Sequence, residues 1–327
     1  MRKPDRLELA NLPTPIWSLD GMDYCRENAR LFMKRDDFTG FEMGGNKVRK
    51  LEYALKQGMD QGAEVFITCG GIQSNHVRAV ASAAALFSRK AHLVLSGSDM
   101  QPDGNYFLDL LFGASVQFVS EEDYKYRRQQ LMEEIRASYT RRGIQAYILP
   151  EGASNGIGFF GYYQAYEEIM MQERLLREPF DTICVAVGSG GTYAGLYAAN
   201  EMYGCRKRIV GFNIYDKNAD AEMQIAGIIE EGLRVGGCRN RISYDRIHIV
   251  YDYVGEGYGI TSSQVMDFIH KTALQTGILL DPVNTGKALY GVVSELYKRN
   301  PLLTGNVLYI HTGGQFGIFP QKNRFCL

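Results

Sequence analysis

The 327-residue chain has no uninterrupted apolar run of the length needed to span a bilayer, which is about 18 residues or more. Its opening, MRKPDRLELANLPTP, has no apolar core of the kind a secretory signal carries. A soluble, cytoplasmic protein with no membrane contact is therefore expected. Charge of one sign is not in excess either: 36 Lys and Arg stand against 37 Asp and Glu, for a net charge of -1. With the basic residues scattered, there is no electrostatic footprint for nucleic acid or an anionic membrane surface, so the expected partner is a small molecule. The six cysteines, Cys25, Cys69, Cys184, Cys205, Cys238 and Cys326, lie far apart and form no CxxC pair. Their spacing argues against a structural zinc, a redox motif or a disulfide scaffold. Five histidines (His76, His92, His248, His270 and His311) occur singly, none at metal-ligand spacing from another. No metal is expected. Low-complexity linkers are absent as well, so domain boundaries are weakly marked.

What is present is 45% hydrophobic sequence, enough to bury the core of one large domain or two ordinary ones. Apolar, β-rich runs alternate with helical patterns: EVFITCGG, AHLVLSG, ASVQFVS and AYILPEG, then DTICVAVGSGG, RIVGFNIYD, IHIVYDYVG and GNVLYIHTGG. Near-continuous hydrophobic strands separated by crossover lengths predict an α/β protein of two doubly wound parallel sheets. Its ligand is expected at the carboxyl ends of the strands. The polar stretch Gln164 to Glu178 reads as a partly solvated helix. Three strand runs end in glycine loops, ITCGGIQSNH, VAVGSGGTYAG and YIHTGGQFG, where the backbone turns tightly and can approach a ligand. Three such loops in one α/β chain point to a shared site.

In GSGGTYAGLYAA, Gly188 to Ala199, glycines follow a buried strand and precede a helix, an arrangement suited to a phosphate. The dinucleotide fingerprint is broken by Tyr193, although Asp216 after the next strand could mimic its ribose-binding acid. No lysine follows the glycines, so the Walker pattern fails too. A dinucleotide, a mononucleotide and pyridoxal phosphate all remain compatible with this loop.

KVRKLEYALKQGM places Val48, Leu51, Leu55 and Met59 on one helical face, with Lys47 at or just before the first turn. A cation there meets the positive end of the helix dipole, which costs a few tenths of a kcal/mol, about 0.3 or more, and lowers the amine's pKa when the site is partly buried. A neutral amine is what a Schiff base requires. Gly44 and Gly45 are expected to clear side chains so that a flat ring can approach Lys47. Arg49 and Lys50 are expected to be solvated or paired.

KRDDFTGFEMGGNKVRKLEY, GGIQSNHVRAVA, PEGASNGIGFFGY, VGSGGTYAGL, GEGYGI, LLDPVNTGKALYG and IHTGGQFG occur in this order from about Thr14 to Gly317. Together they resemble the family of D-cysteine desulfhydrase and 1-aminocyclopropane-1-carboxylate deaminase, pyridoxal phosphate enzymes of the tryptophan-synthase β-subunit fold (fold type II). The resemblance implies a larger cofactor-binding domain from residues 1–50 with 160–327, a smaller α/β domain from 51–159, and a homodimer. It implies that Lys47 holds pyridoxal 5'-phosphate covalently and returns to release product. Ser189, Gly190, Gly191 and Thr192 would take the phosphate, and Asn75 the ring oxygen. Thr312 belongs with the cofactor contacts. Ser74 would assist near the α-carbon, and the amides of Ser74, Asn75 and His76 would bind the substrate carboxylate. Tyr258 would face the substrate as a proton carrier or orienting group.

Thr285 and Thr312 resemble the desulfhydrase branch; the deaminase branch carries glutamate at the first position and an apolar residue at the second. A carboxylate would keep the pyridine nitrogen protonated and strengthen the electron sink, which opening a cyclopropane needs and expelling a thiolate does not. Asn284 departs from the tyrosine of both branches, and Gln315 and Phe316 replace smaller or proline-bearing residues. The expected activity is α,β-elimination of D-cysteine, or a related β-substituted amino acid, to pyruvate, ammonia and hydrogen sulfide. The alternatives are cysteate sulfo-lyase, another amino-acid β-lyase or racemase, the deaminase, or a non-catalytic nucleotide- or phosphate-binding protein.

Overall fold

The computed structural model describes residues 1–19, 29–205, 207–218, 220–239 and 241–325. Its strands are β1 (Ile16–Ser18), β2 (Ala29–Lys34), β3 (Val65–Gly71), β4 (Lys90–Ser96), β5 (Ser115–Val119), β6 (Ala146–Ile148), β7 (Thr182–Val187), β8 (Arg208–Asn213), β9 (His248–Val250) and β10 (Gly305–Ile310). They form a six-stranded sheet in the order β1-β2-β10-β7-β8-β9 and a four-stranded sheet in the order β5-β4-β3-β6. Every pairing is parallel except β1 with β2. The helices are α1 (Asn46–Asp60), α2 (Asn75–Leu86), α3 (Gly104–Leu111), α4 (Glu121–Thr140), α5 (Phe159–Leu176), α6 (Gly191–Tyr203), α7 (Ala221–Val235), α8 (Ser263–Thr276) and α9 (Thr285–Tyr297). The expected fold class is observed: two parallel sheets, whose central strands β3, β7 and β8 are buried almost throughout because helices cover both faces.

Two strands, β1 and β2, were not legible from the sequence. ARLFMK carries Arg30 and Lys34 and so lacks an uninterrupted apolar run, yet it pairs in register with β10, Ala29 opposite Gly305 and Lys34 opposite Ile310. Lys34 is fully buried there and donates to Glu168 at 2.6 Å. The expected helix near Gln164 to Glu178 is the second part of α5; that helix buries Phe159, Phe160, Tyr162 and Tyr166 and exposes its last turn.

One apolar core runs through both sheets, with Leu51 and Leu55 of α1 joining Val77 of α2, Phe159 and Tyr162 of α5, and Leu196 of α6. α1 is thus gripped on several sides. Arg49 and Lys50 are both buried, contrary to a solvated placement. Arg49 is paired in the interior, donating to Asp36 at 2.7 Å and Glu168 at 2.9 Å, with Tyr162 also bonded to Asp36. This network fastens the first turns of α1 to β2 and α5. The thiols of Cys69, Cys184, Cys205 and Cys238 are free; Cys25 and Cys326 lie outside the described residues. Among the described residues no helix is long and apolar enough to cross a membrane, and no group of His, Cys, Asp and Glu has the arrangement of a metal site.

Candidate active site

The carboxyl ends of β3, β7 and β10 open into one cavity, and the three glycine loops line it together: Ser74 to His76 after β3, Gly188 to Thr192 after β7, and Thr312 with Gly313 after β10. Lys47 and Lys50 of α1 form a further wall, and Tyr215, Tyr258 and Asn284 complete it.

The loop after β7 is built to hold an anion. Gly190 caps α6 with φ +81°, a conformation that suits glycine, and its carbonyl accepts the first helical bond from Ala194 at 2.9 Å. The amides of the first turn therefore have no partner from the helix itself. A Cβ on Gly191 would lie 2.6 Å from Ser154 Oγ. That hydroxyl is a junction: it meets Ser189 Oγ at 2.7 Å and accepts from Gly191 N at 3.2 Å and Lys50 Nζ at 3.2 Å. Lys50 is buried, forms no ion pair with a described carboxylate, and has its pKa pushed well below the ordinary lysine value by burial and by Lys47. An anion on the glycine loop would supply its counter-charge. Lys50 and Ser154 were not singled out from the sequence; the available signal was the second lysine one helical turn after Lys47.

Lys47 lies in the first turn of α1 and donates to Asn46 Oδ1 at 2.8 Å, while Asn46 Nδ2 donates to Thr192 Oγ1 at 2.9 Å. One asparagine thus ties the amine to the anion cradle. Burial lowers the amine's pKa to about 8, against the opposing pull of Asp281; Arg78 adds to the lowering and Glu151 resists it. Gly44 and Gly45 do not serve to admit a ring. A Cβ on Gly44 would meet Gly40 O at 2.2 Å and one on Gly45 would meet Thr312 O at 2.5 Å, with Gly45 at φ +104°. The two glycines let the loop before α1 pack on its own backbone and on the loop after β10, which sets where Lys47 starts.

Ser74 caps α2, accepting from Val77 N at 3.3 Å, but its own amide is already bonded to Gly71 O at 2.9 Å. Of the three amides expected to bind a carboxylate, only those of Asn75 and His76 are left without a helical partner. Asn75 Oδ1 accepts from Arg78 at 3.1 Å and Asn105 at 3.0 Å, so its amide nitrogen is the end left to donate. Arg78 also donates to Glu42 O at 2.8 Å and Gly44 O at 3.1 Å, joining α2 to the approach to Lys47. His76 is buried, and its Nε2 lies 2.9 Å from Thr68 Oγ1. Because Thr68 donates to Leu149 O, Nε2 carries the proton toward Thr68. Burial keeps the ring neutral, its pKa well below the usual value.

Tyr258 is 42% exposed, with its ring centroid 5.2 Å from that of Tyr215. Desolvation and the nearby carboxylates of Glu151 and Asp281 raise its pKa, so the phenol keeps its proton at neutral pH. Asn284 lines the cavity with its Nδ2 held by Asp281 at 2.9 Å; its carbonyl oxygen is the end left to accept. Thr285 is not brought to the cavity wall. It is fully buried, its hydroxyl donating to Asp281 Oδ1 at 2.7 Å and accepting from Asp281 N at 2.8 Å. Thr312 does line the cavity, and its carbonyl accepts from Asn46 N at 3.0 Å. Asp216 is held in the loop after β8, accepting from Asn218 N at 2.9 Å, outside the cavity wall.

A parallel α/β cavity with an anion cradle at a helix N-terminus, an amine that loses its proton near neutrality and an amide donor between them defines a site for pyridoxal phosphate. Lys47, the Gly188 to Thr192 loop with Lys50, and Asn75 are the groups that would meet that cofactor's aldehyde, phosphate and ring oxygen. The profile of the family "Pyridoxal-phosphate dependent enzyme" matches residues 7–313, and the chain belongs to that family. It is 37% identical to a bifunctional D-cysteine desulfhydrase/1-aminocyclopropane-1-carboxylate deaminase, mitochondrial, of Arabidopsis thaliana, over 97% of this chain and 80% of the relative. It is 32% identical to a D-cysteine desulfhydrase of Serratia proteamaculans, over 96% of this chain and 95% of the relative. A crystal structure of an ACC deaminase homologue superposes with a TM-score of 0.89 at 35% identity, covering 98% of this chain and 95% of the other.

Proposed function

We propose that the protein is a carbon–sulfur lyase that converts D-cysteine to pyruvate, ammonia and hydrogen sulfide. The observation that carries the proposal is the lysine amine with a pKa near 8, joined through Asn46 to the anion cradle in the same cavity. Pyridoxal phosphate, when bound, supplies an electron sink for charge developing at the substrate's α-carbon. The chain's own residues do the rest. The amides of Asn75 and His76, with the Ser74 hydroxyl proton, orient the substrate carboxylate at the positive end of α2. The Lys47 amine takes the α-proton. The thiolate leaves from the β-carbon, with the Tyr258 phenol as proton donor, and the remaining enamine takes up water to give pyruvate and ammonia. Lys50 and the Gly188 to Thr192 loop would hold the phosphate. Thr285, at the position where the deaminase branch carries glutamate, is bonded to Asp281 and offers no acid to a pyridine nitrogen, which favours thiolate elimination over ring opening.

The test is borohydride treatment of the cofactor-loaded protein followed by peptide mapping, with sulfide and pyruvate assays on D-cysteine. A pyridoxyl group on Lys47, product formation, and loss of both in Lys47→Ala are expected. Absence of the tag overturns the enzymatic assignment; a tag without sulfide overturns the substrate.

A second substrate reading rests on Asn284, which presents an acceptor where the family has a phenol. It favours another β-substituted amino acid and predicts a faster member within a panel of D-cysteine, D-serine, cysteate and β-chloroalanine. We also propose that the protein works in the cytoplasm as a homodimer. Its proposed larger domain, 1–50 with 160–327, carries β1, β2 and β7 to β10; the smaller, 51–159, carries β3 to β6.

A further inference from the structure

Lys287 lies in the first turn of α9, one turn from Asn284, and is 1% exposed. A buried ammonium at the positive end of a helix is costly unless its protons are satisfied. Lys287 forms no ion pair with a described carboxylate. It donates instead to two backbone carbonyls, Val254 O at 2.8 Å and Gly257 O at 2.7 Å. Both belong to the loop that carries Tyr258.

Between its buried ends, Val254 and Thr261, that loop has few other hydrogen bonds among the described residues. Gly255, Gly257 and Gly259 have φ of +73°, +146° and +77°, values that glycine adopts freely and that leave the unclamped chain many alternatives. Its internal bonds are long, Val254 N to Tyr251 O and Ile260 N to Gly257 O, both 3.3 Å. Thr261, beyond the loop, is held separately by Pro282 and Arg324. Tyr258 itself is 42% exposed, and its hydroxyl has no hydrogen bond to a described residue. The contact with Tyr215 and the loop backbone place its ring, whose edge lies beside Gly71 at the end of β3.

We propose that Lys287 is a positioning residue for Tyr258: its ammonium clamps residues 254 and 257 to α9 and holds the phenol at the substrate side of the cavity. The functional part of this inference rests on the role proposed for Tyr258, while the clamp itself does not.

The experiment combines hydrogen exchange with a double-mutant cycle. In Lys287→Met, amide exchange of residues 254–260 is expected to rise at least about tenfold in protein with and without pyridoxal phosphate, as local opening becomes easier. Cofactor content and pyridoxyl tagging of Lys47 stay at the wild-type level. Lys287→Arg, which keeps a multi-donor cation, recovers most of the protection; if the methionine variant does not fold, Lys287→Gln replaces it. For turnover, Lys287→Met lowers kcat about tenfold in the wild-type background and less than about twofold in Tyr258→Phe, because two residues acting through one group are not additive. Unchanged loop exchange overturns the clamp. Loosened exchange with additive kinetic effects overturns the positioning role. Wild-type turnover in Tyr258→Phe overturns the role given to the phenol, and the exchange result then decides the clamp alone.

Discussion

At the scale of single residues, the chemistry comes from burying cations without giving them carboxylates. Lys47 and Lys50 share one helical face and one cavity; burial does most of the work of lowering both pKa values, and Lys47 lowers that of Lys50 further. The sign for Lys47 follows from its value of about 8 against 10.5 for an ordinary lysine. Below pH 8 it is mostly ammonium; above it, mostly free amine. In cofactor-free protein, labelling of Lys47 by an amine-reactive reagent should therefore reach half its plateau near pH 8, more than two units below exposed lysines. Peptide mass mapping across a pH series checks this; a midpoint above pH 10 would remove the basis for Lys47 as the nucleophile.

At the scale of elements, two helix N-termini and one glycine hinge build the site. α2 and α6 aim their open first turns into the cavity, so carboxylate and phosphate can be bound without arginine. The Gly44–Gly45 hinge determines where α1 begins. Ala at Gly45 would be strained at φ +104° and would collide with Thr312 O. Gly45→Ala is expected to cost about 1–3 kcal/mol of stability and to reduce bound pyridoxal phosphate, measured by denaturant unfolding and by absorbance. Gly62→Ala, also at positive φ but with open space around its Cβ, is the control: it should lose stability alone.

At the scale of the whole molecule, the cavity is closed by both sheets at once, Ser74 and Asn75 from one side, Gly188 to Thr192 and Thr312 from the other. A cofactor held by both should stabilise the native chain by mass action, about 2.7 kcal/mol at a hundredfold excess over Kd. Calorimetry should show Tm rising with pyridoxal phosphate in the wild type and rising less in Lys50→Ala, which lacks the buried counter-charge for the phosphate. Equal shifts in both would remove Lys50 from the cradle.

The sequence by itself determined the α/β class, the glycine loops at strand ends and the unusual position of Lys47. Each is a local pattern: continuous apolar runs, glycine where the backbone must turn, and a cation at the wrong end of a helix. The strands β1 and β2 stayed hidden because their pairing with each other and with distant β10 is non-local and Arg30 and Lys34 interrupt the apolar run. The burial of Arg49, Lys50 and Lys287 was equally invisible, since a lysine's surroundings are set by which distant carbonyls, hydroxyls and carboxylates the fold brings to it. Tertiary structure alone decided that Gly44 and Gly45 serve backbone packing, that the Ser74 amide is already bonded, and that Thr285 belongs to Asp281. In each case a group's chemistry depends on its nearest partner in space, and those partners come from loops and strands that only the folded sheets bring together.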